Sequence, residues 1–137
     1  MADQSVETVR GLYEAFGRGD VPAALGLMSE DIEWHEADGM PYGGVYHGPQ
    51  QVAEKVFGPI TTDVEGFAVS PQQLIASGDT VVAVVRYTGT GKMSGKPLDL
   101  EVVHIWDVQD GKLARFRQFI DTIRFGDIVP AETATVP

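Results

Sequence analysis

The chain contains no cysteine and no asparagine, and it has few basic residues for its acidic content. Without cysteine it forms no disulfide framework, no thiolate zinc site and no cysteine nucleophile. Without asparagine it offers no acceptor for N-glycosylation. Ten lysines and arginines stand against twenty acidic residues, a formal net charge of −10. That charge has the wrong sign for binding nucleic acid or an anionic membrane surface, so we expect neither partner.

Long hydrophobic runs are also missing. No stretch approaches the ~18 apolar residues of a membrane span. Residues 1–10 lack the basic and apolar regions of a signal peptide, and we therefore expect a cytoplasmic protein. The length of 137 residues indicates one domain, and a hydrophobic content of 43% is typical of a globular chain rather than a disordered one.

Helical patterns occupy the N-terminal half. Apolar residues recur at three- and four-residue spacing, which predicts a first helix over residues 5–17. Asp20 is a candidate N-cap for a short second helix with apolar positions at Leu25 and Met28. A stretch rich in glycine and proline follows at residues 38–49 and is interpreted as an irregular loop or a broken strand. A third helix is predicted over residues 50–57, ended by Gly58 and Pro59.

The β pattern begins before the third helix and dominates from about residue 67. Ile32, Trp34 and Glu36 alternate with polar residues, which predicts a strand that places Glu36 on an apolar face. In a later strand, His104 shares its parity with Leu98 and Trp106. Asp110-Gly111 is a strong hairpin signal and predicts a turn into a last strand over residues 113–122.

Helices followed by strands favour an α+β fold, with helices packed on the concave face of a bent, mostly antiparallel sheet. A sheet that bends further than the helices fill leaves a pocket. We expect a single domain over residues 1–125 and a C-terminal tail over residues 126–137 that is mobile or lies over a neighbour.

The order of elements and several segments resemble a known family. The first helix ending in GRGD, the strand DIEWHE, the helix start HGPQQV and the hairpin DGKLARFRQFIDT are similar to the SnoaL-like branch of the nuclear transport factor 2-like superfamily. That superfamily also contains ketosteroid isomerase and limonene epoxide hydrolase. The resemblance implies a cone-shaped sheet, three helices, a deep apolar cavity and a homodimer. It is specific for the fold and weak for the reaction, because one pocket serves isomerases, cyclases, hydrolases and binding modules.

Glu36 is the first candidate catalytic residue. The resemblance places it where ketosteroid isomerase carries its general base, and its parity places it beside Ile32 and Trp34. Burial of a carboxyl group among apolar side chains raises its pKa toward neutrality, which suits proton transfer. The alternative is that the strand ends earlier and Glu36 is a solvated loop residue.

The rest of the isomerase apparatus is not matched. Leu12 occupies the position of the tyrosine donor, and the adjacent Tyr13 is turned by about 100° around a helix. Val102 or Val103 occupies the position of the protonated aspartate. The sequence therefore disfavours true steroid isomerase chemistry.

Asp121 and His104 form a second candidate pair. The resemblance to polyketide cyclases of the SnoaL type implies that Asp121 acts as general acid or base and that His104 lines the pocket. The alternatives are that Asp121 caps the next turn and that His104 is a buried histidine with its hydrogen bonds satisfied. A further alternative is water activation as in the epoxide hydrolases. Arg117 shares its parity with Phe119 and Asp121, but no second aspartate completes that triad.

Aromatic residues are spread over every element that would surround a pocket, and most of them are core residues. The candidates for contact with an apolar or polycyclic ligand are Tyr13, Phe16, Trp34, Tyr46, Phe57, Trp106, Arg117 and Phe119. His35, His47 and His104 lack the short spacing of a metal site. No glycine-rich phosphate loop is present. We therefore expect an acid/base enzyme, an isomerase or cyclase without metal or cofactor, acting on an apolar carbonyl compound, with Asp121 and His104 as the proton-transfer pair and Glu36 as a second carboxylate. The competing hypothesis is a non-catalytic ligand-binding module.

Overall fold

The computed structural model describes residues 2–130, and its N-terminal helices agree with the expected positions. Helix α1 covers Ala2–Gly17 and α2 covers Val21–Gly26. The Asp20 side chain caps α2 by accepting a hydrogen bond from the Ala23 N–H at 3.1 Å. Met28, expected in this helix, instead begins the first strand, because α2 ends at Gly26 and the Leu27 carbonyl is bound by the Leu113 N–H.

A longer helical segment than expected follows the first hairpin. It consists of α3 (Pro49–Val52), a π-helical turn (Ala53–Phe57) and α4 (Gly58–Asp63). The prediction that Gly58 and Pro59 end the helix was wrong. Proline in the first turn of a helix removes an N–H that has no partner within that turn, so Pro59 is accommodated at the start of α4.

Six strands form one curved sheet in the order β2-β1-β6-β5-β4-β3. The strands are β1 (Met28–Glu36), β2 (Gly44–His47), β3 (Val64–Ser77), β4 (Thr80–Gly91), β5 (Pro97–Gln109) and β6 (Lys112–Phe119). β1 and β6 are parallel, and all other neighbours are antiparallel. The expected α+β architecture is confirmed.

Alternation along the long strands gives the sheet a buried face and an outer face. Val81, Val85 and Tyr87 on β4 are buried, as are His104 and Trp106 on β5. Helix α1 packs against this concave face, with contacts to β3, β4 and β5. The predicted turn at Asp110-Gly111 joins β5 to β6, and both residues have the positive φ angles that a tight hairpin requires.

The chain retains regular structure beyond Phe125. Helix α5 covers Thr122–Ile128, so it extends into the segment expected to be a tail, and Ile128 and Val129 are buried. The rest of the expected tail, residues 131–137, lies outside the described residues. Within residues 2–130, no helix is both long enough and apolar enough to cross a membrane.

Candidate functional site

A cavity lies between the concave face of the sheet, helix α1 and the helical segment at residues 49–63. It encloses about 440 Å³ of space between atoms, its mouth included. Most of its wall is apolar, formed in part by Phe16, Phe57, Ile60, Phe67 and Phe116. Six of the lining residues have side chains that carry polar atoms: Tyr13, Trp34, Glu36, Tyr87, His104 and Trp106. Small-molecule sites usually have this composition, with a few polar groups in a mainly apolar wall.

Glu36 supplies a carboxylate to this cavity. It is the last residue of β1, on the same face as Ile32 and Trp34, and only 4% of its surface is exposed. The Trp34 indole N–H donates a hydrogen bond to Glu36 Oε1 at 2.8 Å. Burial raises the pKa of Glu36 to about 7, against the opposing effect of the hydrogen bonds from Trp34 and Gln118. A carboxyl group with this pKa exchanges protons readily near neutral pH.

His104 lies at the centre of a buried hydrogen-bonded chain. Its Nδ1 is 2.7 Å from the Tyr13 hydroxyl and its Nε2 is 2.7 Å from the Tyr87 hydroxyl. The Trp106 indole N–H donates to the Tyr13 oxygen at 2.9 Å. Burial lowers the pKa of His104 to about 3, so the imidazole is neutral at physiological pH. Burial also raises the pKa of both tyrosines, which therefore keep their hydroxyl protons.

Two members of this chain were missed by the sequence analysis. Tyr87 is buried on β4, and the Gln118 side-chain amide donates to its hydroxyl at 2.8 Å. The Gln118 oxygen accepts the backbone N–H of Ala37 at 3.1 Å, which fixes the orientation of the amide. Parity could have identified Tyr87, because it shares the face of Val81 and Val85 in the same strand.

Asp121 does not lie at the cavity, contrary to expectation. β6 ends at Phe119, so Asp121 has already left the sheet and occupies the N-cap position of α5. Its carboxylate accepts the Arg124 N–H at 3.0 Å and forms an exposed ion pair with the Arg124 guanidinium. The structure thus brings Glu36 and His104 to one cavity and leaves Asp121 outside it.

Three of the expected ligand-contacting residues also lie elsewhere. Arg117 and Phe119 are on the outer face of the sheet, because Phe116 and Gln118 take the inward positions of β6, and Phe119 is 52% exposed. Tyr46 lines a separate outer groove beside Tyr42, and its hydroxyl donates to the Tyr42 carbonyl. The remaining expected contacts, Tyr13, Phe16, Trp34, Phe57 and Trp106, all line the cavity.

Comparison with known proteins agrees with this architecture. A family model of the SnoaL-like domain matches residues 9–116. The chain belongs to the SnoaL-like family. No curated protein matches the sequence significantly.

Several solved structures share the SnoaL-like fold of this chain. An NTF2-like protein of unknown function from Burkholderia pseudomallei K96243 is 30% identical, with a TM-score of 0.85 over 93% of this chain and 98% of that chain. An NTF2-like protein from Burkholderia thailandensis E264 is 34% identical, with a TM-score of 0.83 over 87% of this chain and 92% of that one. TerC, co-crystallised with polyporic acid, is 27% identical, with a TM-score of 0.83 over 91% of this chain and 97% of that chain.

Two arrangements considered from the sequence are not assembled in the described part of this SnoaL-like chain. Among residues 2–130 no arginine and no aspartate lines the cavity, so an Asp-Arg-Asp set of the epoxide hydrolase type is not formed there. No group of three or more His, Asp or Glu side chains within the same residues is placed to hold a metal ion.

Proposed function

We propose that this SnoaL-like protein catalyses proton transfer on a small apolar carbonyl compound, as an isomerase or cyclase, with Glu36 as the general base. The observation that carries the proposal is the position of Glu36. It is the carboxylate among the residues that line the cavity, and burial places its pKa at about 7. A base with this pKa is ionised in a substantial fraction of molecules at neutral pH and is still basic enough to accept a proton.

The reaction begins with a carbonyl compound whose α carbon lies against Glu36. The carboxylate takes the α proton, the C–H bond breaks, and its electron pair forms a C=C bond while negative charge develops on the carbonyl oxygen. In an isomerisation of a β,γ-unsaturated ketone, the proton returns from Glu36 to the γ carbon and the enolate collapses to the conjugated ketone. In a ring closure, the enolate carbon instead attacks a second carbonyl carbon, the π electron pair of that C=O bond moves to its oxygen, and the proton held by Glu36 neutralises the resulting alkoxide. No electrons are gained or lost by the substrate as a whole.

The walls of the cavity support an apolar substrate of this kind. Aromatic side chains line the same cavity as the carboxylate, and one of the two tyrosine hydroxyls beside His104 can donate a hydrogen bond to a substrate oxygen. Charge that develops in such an enclosure is stabilised by fixed donors more strongly than in water. TerC, which is 27% identical, was crystallised with polyporic acid, and this supports a small organic ligand for the present chain.

The test is hydrogen–deuterium exchange at the α carbon of 2-tetralone, followed by NMR in D₂O. The intact chain is expected to accelerate exchange and Glu36→Gln to abolish the acceleration. Glu33→Gln is the matched control, because Glu33 lies on the same strand but pairs with His35 on the outer face. Equal exchange in the intact chain and in Glu36→Gln would overturn the assignment of the base. If the ligand raises the thermal stability but exchange is not accelerated, the protein is a ligand-binding module and the proposed catalysis is overturned.

We also propose that the protein is a homodimer formed through the outer face of its sheet. Phe119 on β6 is half exposed, and its neighbour across the strand pair, Val103, shares that face. Arg115 and Arg117 also lie there, each with a buried Nε atom that has no partner within residues 2–130. An apolar patch bordered by such groups is the usual character of a protein interface.

A further inference from the structure

The hydrogen-bonded chain through His104 has one hydroxyl proton more than its four hydrogen bonds use. It joins Trp106, Tyr13, His104, Tyr87 and Gln118 by four hydrogen bonds. The two end bonds have a fixed direction. The Trp106 indole nitrogen is only ever a donor, and Gln118 must donate through its nitrogen because its oxygen accepts the Ala37 N–H. The Tyr13 oxygen therefore accepts one hydrogen bond from Trp106, and the Tyr87 oxygen accepts one from Gln118.

The two central bonds allow two arrangements of protons. A neutral imidazole carries one N–H and one unprotonated nitrogen. If Nε2 is protonated, it donates to Tyr87, and Tyr13 donates its hydroxyl proton to Nδ1. If Nδ1 is protonated, it donates to Tyr13, and Tyr87 donates to Nε2. In the first arrangement the Tyr87 proton is unused, and in the second the Tyr13 proton is unused.

The hydrogen-bonded chain thus holds a single unused hydroxyl proton, which lies on either Tyr13 or Tyr87. Within residues 2–130 neither hydroxyl has a hydrogen-bond partner besides those four bonds. Both tyrosine rings line the cavity. A buried donor without an acceptor costs free energy, and a ligand oxygen that accepts the proton recovers it.

We propose that the cavity recognises its ligand through this unused hydroxyl proton. The ligand is a small apolar ketone or a related compound with an accepting oxygen. The His104 tautomer decides whether Tyr13 or Tyr87 donates the hydrogen bond. His104 is then a positioning residue, which moves no proton to the substrate itself. The inference rests on the proposed function in placing the ligand in this cavity, and it adds the group that binds the carbonyl oxygen.

The neutral state of His104 is consistent with its surroundings. Both ring nitrogens face tyrosine hydroxyls rather than carboxylates, and burial lowers the imidazole pKa to about 3. The ring also packs against Phe116, with ring centroids 4.7 Å apart. A protonated ring would donate a hydrogen bond to each tyrosine oxygen, and both hydroxyl protons would then be available to a ligand. The charge state of His104 therefore sets how many hydrogen-bond donors the cavity offers.

Binding of acetophenone and α-methylstyrene tests the recognition of an oxygen. The two molecules have nearly the same shape, and the second carries a CH₂ group in place of the carbonyl oxygen. We expect acetophenone to bind about tenfold more tightly or better in an NMR titration, because the hydrocarbon leaves a buried donor unpaired. In the double variant Tyr13→Phe/Tyr87→Phe this preference is expected to disappear. Equal affinities in the unmodified chain would overturn the proposal.

The two single variants test the role of His104 and do not depend on the double variant folding. With acetophenone bound, Tyr13→Phe leaves only Tyr87 as donor and requires the Nε2–H tautomer. Tyr87→Phe requires the Nδ1–H tautomer. The ¹⁵N signals of the His104 ring are therefore expected to show opposite tautomers in the two variants. The same tautomer in both would overturn the proposal, because one of the two variants would then have no hydroxyl proton free for the ligand.

The Glu36→Gln variant separates this inference from the proposed reaction. It is expected to keep the preference for acetophenone while it loses catalysed exchange. If exchange depends on Glu36 but the ketone is not preferred, only the donor inference fails. If the ketone is preferred but no exchange is catalysed, only the proposed reaction fails.

Discussion

The Trp34 indole N–H and the Glu36 carboxylate lie two residues apart on one face of β1 and are joined by a hydrogen bond of 2.8 Å. Successive inward positions of a strand place their side chains side by side, so this contact follows directly from local geometry. The indole ring also stacks on Phe116 at a centroid distance of 3.8 Å, which holds the donor in place. Burial raises the pKa of Glu36, and this bond limits the rise.

Removing that donor is expected to raise the pKa of Glu36 further. In Trp34→Phe the carboxylate loses a hydrogen bond to its charged form, and the titration midpoint should move upward by about one pH unit. A ¹³C NMR titration of the labelled Glu36 carboxyl measures the midpoint. Trp106→Phe is the control, because it removes an indole from the same cavity whose N–H serves Tyr13 instead. An unchanged midpoint in Trp34→Phe would show that the bond has no influence on the carboxylate.

Glu36 and His104 are expected to affect stability with opposite dependence on pH. The folded pKa of Glu36 is raised from 4.5 to about 7, so its contribution is full below pH 4.5 and is lost as the pH rises to about 7. The folded pKa of His104 is lowered from 6.5 to about 3, so its contribution is full above pH 6.5 and is lost as the pH falls toward 3. Between pH 4.5 and 6.5 the two effects oppose each other.

Glu36→Gln isolates one of the two effects. The free energy of unfolding of the variant, minus that of the unmodified chain, should increase by about 2–3 kcal/mol from pH 4 to pH 8. The reason is that the unmodified chain must bury a charge at the higher pH and the variant does not. Urea unfolding at several pH values measures this gain. Glutamine keeps an oxygen that accepts the Trp34 N–H, so the local packing is retained. A difference between the two proteins that is constant across pH would contradict the raised pKa.

Substitution of Asp121 is expected to affect helix α5 and not the cavity. Asp121→Ala removes the N-cap of α5 and should cost about 1 kcal/mol of stability. Asp121→Asn keeps a capping oxygen and should cost only a few tenths of that amount. Both variants should retain catalysed exchange of 2-tetralone within about twofold, since neither alters a cavity group. Loss of most of the exchange in Asp121→Asn would restore the catalytic role that the family resemblance implies.

Gly91 is expected to tolerate no side chain. An added Cβ would lie 2.3 Å from the Ile128 carbonyl oxygen and 2.7 Å from Ser94 Oγ, where β4 meets the end of α5. Gly91→Ala should therefore destabilise the protein by about 2 kcal/mol or more, measured by thermal or urea unfolding. Gly126→Ala is the matched control in α5, where an added Cβ meets nothing within 4 Å. That change should be neutral or stabilise by up to about 1 kcal/mol.

Phe119 is expected to contribute to the proposed dimer. Phe119→Glu places a charge on the outer face of the sheet and should weaken self-association by at least about tenfold, measured by analytical ultracentrifugation. Ile123→Glu is the control, since Ile123 is also a large apolar residue and is more exposed than Phe119, 85% against 52%, but lies on α5. A monomeric unmodified chain, or equal weakening by both variants, would contradict an interface at this face.

Strand parity predicted the central part of the site. It assigns Glu36 and His104 to apolar faces, because each shares its parity with bulky apolar residues over several positions. β6 behaved differently, since the pairing between β5 and β6 shifts between Asp107 and Val108. Leu113 and Phe116 therefore both point inward although they are three residues apart. Counting alternate residues from Leu113 assigns Arg117 and Phe119 to the cavity, whereas the irregularity turns them outward.

The sequence by itself determined the α+β order, the family, and the side chains that alternate into the core, because these depend on spacing along one segment at a time. Only the tertiary structure decided that Tyr13, His104, Tyr87 and Gln118 form one hydrogen-bonded chain. Those residues come from four elements separated by long stretches of sequence, and periodicity carries no information on which inward side chains meet across a cavity. The absence of cysteine excluded thiol chemistry, and the fold placed a buried carboxylate and a neutral imidazole where chemistry can occur.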